Sequence, residues 1–92
     1  MSDKTKILVV DDDPDALLDT ARLLKEAGYE VLTASSGKET LKVVGEDHPD
    51  LVLLDVMLPD MDGAEVCKRI KADPSLRGPL VVLLWSGRDH LP

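Results

Sequence analysis

A doubly wound α/β domain built on a parallel sheet is the fold class this sequence predicts. Three observations carry it. Short apolar runs alternate with amphipathic helical segments in the order βαβαβαβ. The central runs are apolar nearly throughout, as a sheet covered on both faces requires. Gly and Pro fall at the joints between segments. Right-handed crossovers would then put helices on both sides of the sheet. A chain of 92 residues allows one domain, 1–92, and so short a chain buries a limited share of its surface.

The first strand is Ile7 to Val10, β-branched and ending in acidic residues. Asp13 suits an N-cap and Pro14 the first helical position. Leu17, Leu18, Ala21, Leu24 and Ala27 follow at helical spacing, and Gly28 suits a left-handed C-cap. Tyr29 to Ala34 reads as the second strand, after which Ser35, Ser36 and Gly37 break the chain. A second helix runs to about Glu46, with Leu41 and Val44 inward, and Pro49 stops it. Leu51 to Leu54 forms the third strand and ends in Asp55. Pro59 and Gly63 punctuate a loop from Val56 to Asp62. A third helix covers about Ala64 to Lys71, with Val66 and Ile70 inward, and Asp73-Pro74 ends it. The fourth strand is Leu80 to Trp85.

Composition narrows the function. The chain is 43% hydrophobic and 32% charged, as ordinary globular domains are. Tyr29 and Trp85 are its aromatics, so Leu, Val, Ile and Ala must build the core. A net charge of −7 argues against binding nucleic acid or an anionic membrane surface. One cysteine, Cys67, cannot form an internal disulfide and fits a reducing compartment. The apolar run Ile7 to Val10 is too short for a signal peptide, and no run approaches membrane-spanning length. A cytoplasmic location is expected.

Ligands of open parallel sheets bind outside the carboxyl ends of the strands. Asp11 and Asp12 stand after the first strand, Asp55 at the end of the third and Ser86 after the fourth. Three carboxylates and a hydroxyl therefore share one rim. Two like charges about 4 Å apart repel by roughly 4 kcal/mol at an effective dielectric near 20, so such a cluster calls for a proton or a cation. An all-oxygen donor set without His or Cys points to a hard ion, and Mg²⁺ is the natural choice.

Three stretches carry a family resemblance: Ile7-Leu8-Val9-Val10-Asp11-Asp12-Asp13, then Asp50-Leu51-Val52-Leu53-Leu54-Asp55-Val56-Met57-Leu58-Pro59-Asp60-Met61-Asp62-Gly63, then Val81-Val82-Leu83-Leu84-Trp85-Ser86-Gly87. The second is the most specific, an aspartate after an apolar strand followed by a proline and an Asp-Gly turn. The constellation resembles the response-regulator receiver family of two-component signalling over nearly the whole chain. The resemblance implies a flavodoxin-like, CheY-like sheet in the order 2-1-3-4. It implies that Asp55 takes a phosphoryl group from the phosphohistidine of a sensor histidine kinase or phosphotransfer protein. Asp12, Asp55 and the backbone carbonyl of Met57 would ligate Mg²⁺, and Asp11 would hold a metal-bound water. Ser86 would be the switch hydroxyl, and Gly87 would leave room for the phosphoryl group. A signalling phosphoacceptor rather than an enzyme is implied, with at most self-catalysed phosphotransfer and autodephosphorylation.

The family pattern continues with a fourth helix, a fifth strand ending in a lysine, and a fifth helix. The sequence does not contain them, and its last lysine is Lys71. The expectation is a receiver incomplete at its C-terminus, whose fourth strand is a bare apolar edge prone to self-association. Two rival functions are weighed. An aspartyl-phosphate phosphatase of the haloacid-dehalogenase type carries a second aspartate two residues on, where this chain has Met57. A non-phosphorylated pseudo-receiver would act as a protein-binding or dimerisation module.

Other polar residues have plainer readings. Asp13 is a cap. Asp60-Met61-Asp62-Gly63 hints at a calcium loop, but Leu58 falls at the first ligand position and Arg69 at the twelfth, so a turn is expected. Cys67 is a small packing residue, His48 and His90 are solvated, and Lys68, Arg69 and Lys71 form a solvated helix face.

Overall fold

The computed structural model describes residues 4–55, 58–76 and 80–84. Four strands, β1 (Lys6–Val10), β2 (Glu30–Ala34), β3 (Leu51–Asp55) and β4 (Leu80–Leu84), alternate with α1 (Pro14–Glu26), α2 (Gly37–Asp47) and α3 (Gly63–Ala72). A 3₁₀ turn, Pro74–Leu76, follows α3. All strand pairs are parallel, in the order β2-β1-β3-β4. That is the order implied by the resemblance.

The chain steps outward from β1 to β2, then returns past β1 to β3 and on to β4. Right-handed crossovers therefore place α1 on one face and α2 and α3 on the other. Accordingly α1 packs on β1 and β2, while α2 and α3 touch each other. Leu8, Val10, Ala34, Val52 and Leu54 of the sheet meet Val44, Val66 and Ile70 of those two helices in one buried cluster. Burying each Leu, Val or Ile side chain contributes about 1.5–3 kcal/mol. Ile7 and Val9 alternate with Leu8 and Val10 and are buried as well, so β1 is covered on both faces.

The helix ends follow from local chemistry. The Asp13 carboxylate accepts the Asp15 N–H at 3.1 Å, with Pro14 in the first turn. Gly28 has φ +101°, which lets Tyr29 donate its N–H back to the Leu24 carbonyl at 3.1 Å. Tyr29 thus closes α1, and β2 begins one residue later than the sequence predicts. His48, at φ 48°, ends α2 by donating its N–H to the Val44 carbonyl. Histidine is one of the few side chains found repeatedly in that region. The helix is stopped by this left-handed residue before Pro49 is reached, and Pro49 itself is buried.

Two positions of the expected apolar stripe are corrected. Leu18 is 57% exposed and Ala27 is exposed as well, although their spacing put them with Leu17, Ala21 and Leu24. Among the described residues no other helix shares the face of α1, which buries a narrow stripe centred on Ala21, and Leu18 falls off its edge. The fourth strand is observed as Leu80–Leu84; Trp85, predicted to end it, lies outside the described residues.

Candidate metal centre

β1 and β3 run in register, with Val10 beside Leu54. The next residue of each chain is therefore Asp11 and Asp55, side by side at the C-terminal end of the sheet. Asp11 is fixed from two directions. Its N–H donates to the Ala34 carbonyl of β2 at 3.2 Å, and its carboxylate accepts the Asp13 N–H at 3.0 Å. Asp12 follows, and Asp13 begins α1 as its cap. Asp55 is the last residue of β3 and is 2% exposed.

Each of Asp11, Asp12 and Asp55 offers a carboxylate oxygen within 4.8 Å of the other two. Exposure is graded across the three, from buried Asp55 through half-buried Asp11 to exposed Asp12. The donor set is all oxygen, with one ligand atom from each of three carboxylates, of which Asp12 is exposed. These residues fit a hard divalent ion that keeps several waters. The three carboxylates predicted from the sequence are therefore brought together. The remaining predicted members, Met57, Ser86 and Gly87, lie outside the described residues.

Asp60 and Asp62, expected in a turn, are helix caps. The Asp62 carboxylate accepts the Glu65 N–H at 2.8 Å and starts α3, so α3 begins one residue before the predicted Ala64. Asp60 Oδ1 accepts the Gly37 N–H at 2.8 Å, and its Oδ2 accepts the Lys38 N–H at 2.9 Å. These two donors hold the Asp60 carboxyl below its ordinary value, Gly37 contributing most. The sequence does not announce this contact, because the acceptor and its donors lie in separate loops. On α3, Arg69 pairs with Glu65 at 2.9 Å on the exposed surface, a contact worth about 0.3–0.5 kcal/mol. Cys67 is a half-buried free thiol. No helix among the described residues is long and apolar enough to cross a membrane.

Comparison with known proteins agrees with the fold. The response regulator receiver domain model matches residues 7–91. The alkaline phosphatase synthesis transcriptional regulatory protein PhoP of Bacillus subtilis is 46% identical over 78 residues, which is 85% of this chain and 32% of that protein. The response regulator PleD of Caulobacter vibrioides is 48% identical over 80 residues, 86% of this chain and 17% of that protein. Among solved structures, the chemotaxis response regulator CheY4 of Vibrio cholerae superposes with a TM-score of 0.81 at 30% identity, covering 87% of this chain and 67% of that one. The N-terminal domain of a response regulator receiver protein from Methanoculleus marisnigri does so with a TM-score of 0.81 at 45% identity, covering 85% and 63%. The chain spans about a third of the length of PhoP and a smaller share of PleD. By its matched residues, its sheet order and its three converging carboxylates, the chain belongs to the response regulator receiver domain family.

Proposed function

We propose that this receiver domain is a phosphoacceptor of two-component signalling and that Asp55 is the residue phosphorylated. The observation that carries the reading is the approach of the Asp11, Asp12 and Asp55 carboxylates to within 4.8 Å at the end of the sheet. Mg²⁺ is the proposed cofactor, ligated by Asp12, Asp55 and the Met57 carbonyl, with Asp11 holding one of its waters. When bound, the ion offsets the negative charge of the acceptor carboxylate and of the incoming phosphoryl oxygens.

In this reading a carboxylate oxygen of Asp55 attacks phosphorus as the P–N bond to a donor phosphohistidine breaks. The electron pair of that bond stays on the imidazole, which then takes up a proton from solvent. Burial of Asp55 between two strands limits its freedom, so the attacking oxygen is presented in a fixed direction. The acyl phosphate formed is lost to water as inorganic phosphate, which regenerates the carboxylate. Ser86 is the proposed switch hydroxyl that senses the phosphoryl group. A sensor histidine kinase or a phosphotransfer protein is the proposed donor. β4 ends the sheet of described residues, and self-association along it is part of the proposal; a monomer in light scattering at high concentration would remove that part.

The test is incubation with acetyl phosphate and Mg²⁺, followed by intact-mass measurement. One added phosphoryl group is expected on the wild-type chain and none on Asp55→Asn. A wild-type mass that does not change would overturn the assignment.

A further inference from the structure

The two sides of the carboxylate centre are tied to one short segment that contributes no ligand. Asp11 donates its N–H to the carbonyl of Ala34, the last residue of β2. Two residues beyond Ala34 comes Ser36, the N-cap of α2, and then Gly37 and Lys38, whose N–H groups Asp60 accepts at 2.8 and 2.9 Å. Asp60 lies in the loop that leads on from Asp55. The segment 34–38 therefore bonds Asp11 of the centre through one hydrogen bond and, through two, Asp60, which follows Asp55 five residues on in the sequence.

The contact is built rather than incidental. The first amides of a helix have no partner within it. Here Asp60 takes the first two, and the Ser36 hydroxyl takes that of Glu39 at 3.1 Å. Glu39 in turn accepts the Ser35 N–H at 2.9 Å. A carboxylate accepting two N–H groups makes charge-assisted bonds, about twice as strong as neutral ones. The neighbouring residue packs in support. Met61 lies so close to Gly37 that a Cβ there would collide with its Cγ and come within 2.9 Å of its Sδ. Leu58 and Met61 both pack against the buried core. Residues 58–61 are thus held by two apolar anchors with a bidentate carboxylate between them.

We propose that Asp60 is a positioning residue for the carboxylate centre, clamping the loop that follows Asp55 onto the start of α2 so that the cation ligands on β1 and β3 keep a common frame. The proposal rests on the metal reading given above. Residues that orient a metal site from outside its ligand shell commonly change affinity by 10- to 100-fold, and the lower end suits one set of hydrogen bonds on the protein surface.

The test is Mg²⁺ affinity by titration calorimetry for the wild-type chain, Asp60→Ala and Asp60→Asn, with the melting temperature of each measured without Mg²⁺. About tenfold weaker binding is expected for Asp60→Ala. Asp60→Asn, which keeps one acceptor oxygen, should recover part of that loss. Equal affinities in all three, with melting temperature alone reduced, would show a merely structural cap and overturn the proposal. Equal losses in the Ala and Asn variants would assign the effect to charge and overturn it too. Should Asp60→Ala fail to fold, the amide resonances of Gly37 and Lys38 in the wild-type chain serve instead: they should shift as Mg²⁺ is added, and their indifference would overturn the clamp. A wild-type chain that binds no Mg²⁺ would overturn the metal reading itself, a result distinct from any of these.

Discussion

Asp11 and Asp55 follow Val10 and Leu54, which are register partners on adjacent parallel strands, and their carboxylate oxygens lie within 4.8 Å of each other. A carboxylate pair at that distance is stable when something positive stands between its members. Most of what the domain is expected to do follows from that pairing.

Mg²⁺ should therefore stabilise the fold. A ligand that binds only the native state adds about 2.7 kcal/mol at one hundred times its dissociation constant. In a domain of this size about 1 kcal/mol moves the melting temperature by roughly 4–8 °C. A rise is expected in calorimetry for the wild-type chain and should vanish in Asp12→Ala, which removes the exposed member of the cluster.

The buried cluster between the sheet and α2–α3 should dominate stability. Leu8→Ala or Leu54→Ala, each at a position with no exposure, should cost about 2–5 kcal/mol. Urea denaturation should show the loss as a lower midpoint. Leu18→Ala, on exposed α1 surface, should change stability by less than about 0.5 kcal/mol.

Two glycines should respond to alanine for different reasons. At Gly28 an added Cβ meets nothing within 4 Å, but φ is +101°, so the cost is backbone strain of about 1–2 kcal/mol. At Gly37 the added Cβ collides with Met61, and overpacking of that kind costs about 1–3 kcal/mol. Met61→Ala should rescue Gly37→Ala and leave Gly28→Ala unchanged in a double-mutant cycle.

Acid should release the Asp60 clamp. Its carboxyl is held below the ordinary value in the folded chain by the Gly37 and Lys38 N–H groups. A folded value lower than the unfolded one means that its stabilisation is fully present above the ordinary carboxylate range. It is lost as pH falls through the lowered folded value. The stability difference between wild type and Asp60→Ala should thus be constant near neutrality and shrink below the ordinary carboxylate range. Denaturation midpoints across an acid series would check this.

Much of the molecule is legible in its sequence because the signals are local. Apolar runs of strand length, amphipathic spacing between them, Asp13-Pro14 at a helix start and Gly28 at its end each act within a few residues. They place the four strands and three helices to within one or two positions. The gathering of Asp11, Asp12 and Asp55 was also predictable, since parallel strands bring all their carboxyl ends to one edge, whereas the strand order came from the family resemblance. Where local reasoning erred, a tertiary partner was missing from it. Leu18 has the spacing of a core residue, but no helix among the described residues lies beside α1 to cover it. Asp60 has the composition of a turn, yet its partners sit at the start of α2.

The sequence by itself determined the fold class and the identity of the three carboxylates, because hydrophobic period and chain direction are properties of short segments. The tertiary structure alone decided which oxygen meets which amide. Only when β2, α2 and the loop after β3 close around one core does the Gly37 backbone come within reach of the Asp60 carboxylate and the side chain of Met61. Such contacts depend on packing to within fractions of an ångström, and no local pattern of residues encodes them.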